Sequence, residues 1–371
     1  MDRFVKKALI AMSGGVDSSV AALLTAREGY ECIGCTMRLF DNEDAGISRG
    51  STCCSLEDVE DARSVAFRLG IRYHVFNFTG DFRAEVMDPF VDCYRRGLTP
   101  NPCIECNRTM KFEKLLRRGE ELGCERLVTG HYARITFDGE KYRLRKGRDE
   151  SKDQSYVLYM LTQEQLAHLS FPLGEYTKAQ VRAMAEEHGF VNADKPDSQD
   201  ICFVPDGDYA AMIRRHTGKE LIPGDFVDST GQVLGRHRGI ECYTVGQRRG
   251  LGLSFSQPMY VCAIDPENNT VVLGPKEELF SREVYVPDFH WISGEAPKEA
   301  VRGRAKIRYR HREEDVTAIP LTGGGVKLIF DAPQRAVTPG QAAVLYDGDI
   351  VLGGGTIAPI RHEMKGRGRT C

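Results

Sequence analysis

The string Ser13-Gly14-Gly15-Val16-Asp17-Ser18-Ser19 follows directly on the apolar run Lys7 to Met12 and opens into a second one, Val20 to Thr25. A strand, a glycine-rich turn and a helix start in that order make an anion cradle. The first backbone N–H groups of a helix have no intrahelical acceptor, and the helix dipole is positive at that end. Gly14 and Gly15 let the main chain approach a phosphate, Ser13, Ser18 and Ser19 add hydroxyl donors, and Asp17 offers a carboxylate to a magnesium ion bridging phosphate oxygens. A kinase-type phosphate loop needs Gly-Lys followed by Ser or Thr. The one Gly-Lys pair, Gly218-Lys219, is followed by Glu220, so that class is excluded.

Thiols supply the second set of reactive groups. Among 12 cysteines there are two Cys-x-x-Cys pairs, Cys32/Cys35 and Cys103/Cys106, with the doublet Cys53-Cys54 between them. Glu31 to Leu39 reads as a strand, so Cys32 and Cys35 point to opposite faces and do not chelate one ion. Cys32, Cys35, Cys124, Cys242 and Cys262 read as buried small hydrophobes. Cys53 and Cys54 precede a helix start, where a thiolate is favoured. Cys103 and Cys106 fall in Thr99 to Arg108, a polar stretch with two prolines that reads as a loop leading into a helix over Lys111 to Leu122. Arg108 and Lys111 would lower a nearby thiol pKa. Cys202 sits in another Pro-bounded loop, and if the two loops meet over the phosphate cradle, two thiols face whatever the cradle holds.

The elements that must position these groups alternate. β-rich runs at Ala8 to Met12, Cys32 to Leu39, Tyr73 to Phe78 and Arg126 to Thr129 are separated by helical patterns at Ser18 to Glu28, Ser55 to Leu69, Asp81 to Gly97 and Lys111 to Leu122, which predicts an α/β domain built on a parallel sheet. After Thr162 the pattern is helical to about His216, and from Pro223 it turns to short strands between Gly/Asn/Asp turns, as in small β barrels. The expected division is an N-terminal α/β domain with a helical extension over 1–220, a small central β domain over 221–280, a C-terminal β barrel over 281–360, and a basic tail, 361–371. A length of 371 residues, 28% charged and 41% hydrophobic, fits such a multidomain globular chain. The net charge of −3 excludes a uniformly basic coat. No apolar run approaches a membrane span and the N-terminus does not read as a signal peptide, so a soluble, cytoplasmic, monomeric protein in a reducing compartment is expected.

Arg302, Arg304, Lys306, Arg308, Arg310 and Arg312 occupy every second position of Val301 to Arg312. Read as one strand, this puts six cations on one face over roughly 33 Å, enough to track several phosphates. Lys141, Arg143 and Arg145 repeat the pattern in brief.

The Ser-Gly-Gly-Val-Asp-Ser string resembles the signature of the ATP pyrophosphatase (PP-loop) superfamily, which implies ATP cleavage to AMP and pyrophosphate with adenylation of a carbonyl oxygen. With Cys53-Cys54-Ser55, Thr99 to Arg108, Lys111-Phe112, Thr129-Gly130-His131-Tyr132-Ala133-Arg134, Lys152-Asp153-Gln154-Ser155-Tyr156, Lys195 to Phe203, Tyr243 to Gly250 and Pro339-Gly340-Gln341, the chain closely resembles the tRNA-specific 2-thiouridylase family. The resemblance implies an adenine nucleotide hydrolase-like N-terminal domain that binds ATP and Mg2+ through Ala11, Met12, Ser13, Gly14, Gly15, Val16, Asp17, Ser18, Met37 and Gly130. It makes Cys202 the persulfide carrier and Cys106 its partner nucleophile, with Cys103 an accessory thiol. It places Asn101, Pro102 and Cys103 against the target base, and His131, Lys152, Asp153, Gln154, Arg308, Tyr309 and Gln341 near tRNA. A sulfur-relay protein or cysteine desulfurase is the implied sulfur donor. Two alternatives stand beside it: an iron-sulfur cluster held by Cys103, Cys106 and Cys202 as in related tRNA thiolases, and a metal-bound RNA-binding module without catalysis.

Overall fold

The computed structural model describes residues 6–41, 56–196 and 201–359; Cys53, Cys54 and the tail 361–371 lie outside them. Strand β1 (Lys7–Ala11) is apolar on both faces because it is the middle of a sheet covered twice. Ala8 and Ile10 pack on one side with Val20 and Leu23 of helix α1 (Val16–Arg27) and Val65 of α2 (Leu56–Arg68). Leu9 packs on the other with Phe82, Phe90 and Phe112. The order is β3-β2-β1-β4-β7, all parallel, with β2 (Glu31–Arg38), β3 (Arg72–Asn77), β4 (Arg126–Val128) and β7 (Leu169–Ser170). The winding direction reverses between β1 and β4, which opens a crevice at their carboxyl ends, the usual ligand position in such sheets. Cys32 and Cys35 lie in cores on opposite sides of this sheet.

The stretch expected as a thiol-bearing loop is helix instead. Pro102–Glu105, the widened π-type turns Cys106–Leu115, and Leu116–Glu121 run end to end as helix α3. Asn101 caps it, its side chain accepting from the Cys103 N–H at 3.1 Å, and Pro102 fills the first turn, where no N–H is needed. Asn-Pro was thus a helix start rather than a loop signature.

Downstream, β8 (Gly224–Val227), β9 (Val233–His237), β10 (Tyr260–Asp265) and β11 (Thr270–Gly274) form a small sheet around Phe226, Val261 and Leu273. A nine-stranded antiparallel sheet follows, from β12 (Phe280–Val286) through β16 (Val326–Arg335), β15 (Glu314–Pro320), β14 (Val301–Lys306), β17 (Ala342–Asp347) and β18 (Ile350–Thr356), with the short β13 (His290–Trp291) also paired to β18. It ends on the hairpin β5 (Ala133–Phe137) and β6 (Tyr142–Lys146), which comes from the N-terminal part of the chain.

The six-cation strand does not exist as expected. β14 ends at Lys306, and residues 307–312 turn. Arg304 stands opposite Asp315 in the ladder, 3.7 Å away, Arg302 forks onto Asp331 of β16, and Lys306 lies 3.8 Å from both Asp153 and Glu313. Acids on neighbouring strands, invisible to a period-two count, cancel the charge. Lys141, Arg143 and Arg145 are likewise taken up, by the Ser293 carbonyl, Asp138 and Asp349.

Candidate active site

The carboxyl ends of β1, β2 and β4 open into a cavity of about 370 Å³. Its walls bring together Ala11, Met12, Ser13, Asp17 and Ser18 of the phosphate loop, Met37 at the end of β2, and Gly130 and His131 after β4. Pro102, Cys103 and Cys106 reach it from α3, Gln154 from the hairpin side, and Cys202 from the later loop. Both thiol-bearing segments therefore face the phosphate cradle.

The cradle is braced from beneath. Gly14 has φ +77°, and a Cβ there would lie 2.4 Å from the Asp58 carbonyl oxygen. Asn192 donates to the Gly14 carbonyl at 2.8 Å and to Ser19 Oγ at 2.9 Å, while Ser18 Oγ donates to the Gly15 carbonyl at 2.9 Å. No side chain caps α1, so the first N–H groups after Gly15 are left to a ligand. Gly130 presses on this helix start: a Cβ there would come within 3.0 Å of the Asp17–Ser18 peptide.

The expected magnesium role of Asp17 does not fit this arrangement. Both its carboxylate oxygens accept from Lys178 Nζ at 2.8 Å, and one accepts from Tyr132 Oη at 2.8 Å. A cluster is not matched either: among the described residues no group of three or more His, Cys, Asp or Glu side chains converges as a metal site. Cys103 is exposed, whereas Cys106 and Cys202 are half-buried.

His131 is buried between Phe112 and Phe171, with Nδ1 2.6 Å from Thr129 Oγ1. Burial, reinforced by Lys111, holds its pKa well below the ordinary value and keeps the ring neutral.

Of the other residues assigned to RNA by resemblance, Gln154 lines the cavity and the rest lie off it. Asp153 is buried and accepts from the Gly147 and Ser155 N–H groups and from Ser155 Oγ. Lys152 is half-buried in the same turn, next to Gln154, which accepts from the Tyr132 N–H. Arg308 turns inward and donates to the carbonyls of Val245 and Ala336 and to Thr338 Oγ1. Tyr309 is exposed, its ring 5.8 Å from that of Tyr156. Gln341 donates to the Thr99 carbonyl at 2.8 Å, just before Asn101, so it props the start of α3.

Sequence reasoning gave Lys111 a role only as a neighbour of thiols, gave none to Asn107 and Thr129, which stand in the quoted motifs and also line the cavity, and missed Lys178 and Asn192, which brace it. Lys178 stands 161 residues from Asp17, and no spacing signal connects them.

Residues 6–206 match the family model described as tRNA methyl transferase HUP domain, 210–275 the tRNA methyl transferase PRC-barrel domain, and 281–357 the aminomethyltransferase beta-barrel domain. The chain is 53% identical over 356 residues to tRNA-specific 2-thiouridylase MnmA of Acetivibrio thermocellus, covering 95% of this chain and 99% of that protein. Against the proteins of the same name from Moorella thermoacetica and Clostridioides difficile the figures are 52% over 356 residues (95% and 99%) and 48% over 354 (95% and 98%). Identity at about half of all positions, end to end on both chains, is agreement within one family, and the chain belongs to the tRNA-specific 2-thiouridylases.

Proposed function

We propose that the protein uses ATP to convert the wobble uridine of tRNA to 2-thiouridine. One observation carries this reading: a single cavity is walled by the phosphate loop and by Cys103, Cys106 and Cys202. Thiols facing a phosphate cradle fit sulfur transfer, the chemistry in the relatives' name, better than the methyl transfer of the family descriptions.

In the proposed sequence the uridine C2 oxygen attacks the α-phosphorus of ATP and pyrophosphate leaves, which turns a poor leaving group into AMP. The terminal sulfur of a Cys202 persulfide attacks C2 and expels AMP. The Cys106 thiolate then attacks the Cys202 sulfur, releasing the thiocarbonyl base and forming a Cys106–Cys202 disulfide that an external thiol reductant reopens. The sulfur reaches Cys202 from a persulfide-carrying donor protein. A cavity of this size admits a base only if the uridine leaves its stack.

The test is incubation with ATP, magnesium, a persulfide donor and unmodified tRNA, followed by assay of AMP, pyrophosphate and 2-thiouridine by mass spectrometry. All three products are expected in equal amounts. ATP consumption without thiolated base would overturn the reading.

A further inference from the structure

Two charged side chains line the cavity among the described residues, Asp17 and Lys111. The first is neutralised by Lys178, which is itself nearly buried. The second has neither a carboxylate within ion-pair distance nor a hydrogen-bond partner among the described residues. A half-buried ammonium left this way is costly unless an anion arrives to pair with it.

The position of Lys111 says which anion. It sits in the π-type turns of α3, which open with Cys106 and whose widened winding is frequent at functional sites. It lines the same cavity as Ser13, Ser18 and His131, which follows Gly130, and Gly130 lies against the Asp17–Ser18 peptide at the uncapped start of α1. Lys111 and the anion cradle thus open onto one cavity, and His131, which also lines it, is kept uncharged and does not compete.

We propose that Lys111 is the phosphate-binding side chain of this site, its ammonium meeting the α- and β-phosphates of ATP while the backbone N–H groups at the start of α1 take them from the other side. A phosphate loop without its own lysine thereby borrows one from the helix that carries the nucleophilic thiol. As a consequence, bound nucleotide and Cys106 are positioned by one rigid element.

The inference rests on reading the cavity as an ATP site, and its test is separable from thiolation. ATP binding to full-length Lys111→Met and Lys111→Arg is measured by calorimetry without tRNA or sulfur donor, with thermal melting as a check on folding. Lys111→Met should weaken ATP by about 10- to 100-fold at an unchanged melting temperature, and Lys111→Arg should recover most of it. Cys106 alkylation by iodoacetamide should change little. Unchanged ATP affinity in Lys111→Met would overturn the proposal. So would slowed alkylation with ATP affinity intact, which would assign the ammonium to the thiol. If wild type binds ATP and Lys111→Met does not, yet no 2-thiouridine forms, the phosphate role stands and the thiolase reading falls.

Discussion

The cavity at the end of the parallel sheet and the arginine-rich strand of the C-terminal sheet looked alike in sequence, each a dense local string of functional residue types. In the structure they part. At the cavity, residues from seven separate stretches converge and leave one cation without an acid among the described residues. On β14 the cations are met one by one by Asp315, Asp331, Glu313 and Asp153. A charge string marks a binding face only after the facing strands have been counted, whereas a strand–glycine–helix string carries its geometry within itself.

The sharpest break should come at the thiols. Cys202→Ser and Cys106→Ser are each expected to reduce 2-thiouridine formation by at least 1,000-fold, on the order of what loss of a covalent nucleophile costs, while leaving calorimetric ATP affinity unchanged. A variant retaining thiolation would remove that cysteine from the mechanism.

Arg308 comes next. With three acceptors and an inward position, Arg308→Met should destabilise the protein by about 1–3 kcal/mol, read as a lower urea midpoint. A stable variant with weakened tRNA binding would instead assign this side chain to RNA.

Acid should separate the two regions further. His131, His237 and His311 all have pKa values lowered by burial from 6.5. The unfolded chain therefore takes up these protons first, and stability should decline as pH falls below about 6.5. The Arg302–Asp331 pair acts through a carboxyl lowered from 3.8 by its hydrogen bond to Arg302. Its contribution is present above that pH and is lost only below it. Urea midpoints between pH 7.5 and 4.5 should fall in wild type and fall less in His131→Gln; parallel slopes would refute the assignment.

The smallest effect is expected at Arg304. Its partner is exposed and the pair is loose at 3.7 Å, so Arg304→Ala should change stability by less than about 0.5 kcal/mol.

What was legible followed from local physics. The phosphate loop, four strands of the parallel sheet and the opposed burial of Cys32 and Cys35 were all set by short-range periodicity and turn chemistry. The start of α3 is hidden because a polar stretch with two prolines reads as a loop, although Asn101 before Pro102 is a helix cap. β7 has only two residues, too few for any period to register. The pairing of β6 with β18, residues 145 and 350, and the Asp17–Lys178 contact are long-range choices of the folded chain.

The prop under α3 bears on when the enzyme comes into being. The Thr99 N–H is held by the Pro339 carbonyl at 2.9 Å, and Gln341 holds the carbonyls of Thr99 and Pro100. During synthesis the phosphate loop leaves the ribosome more than 300 residues before these anchors. A nascent chain thus completes its phosphate cradle long before the start of α3 is held in place, so under the proposed function nucleotide binding matures before Cys106 is positioned.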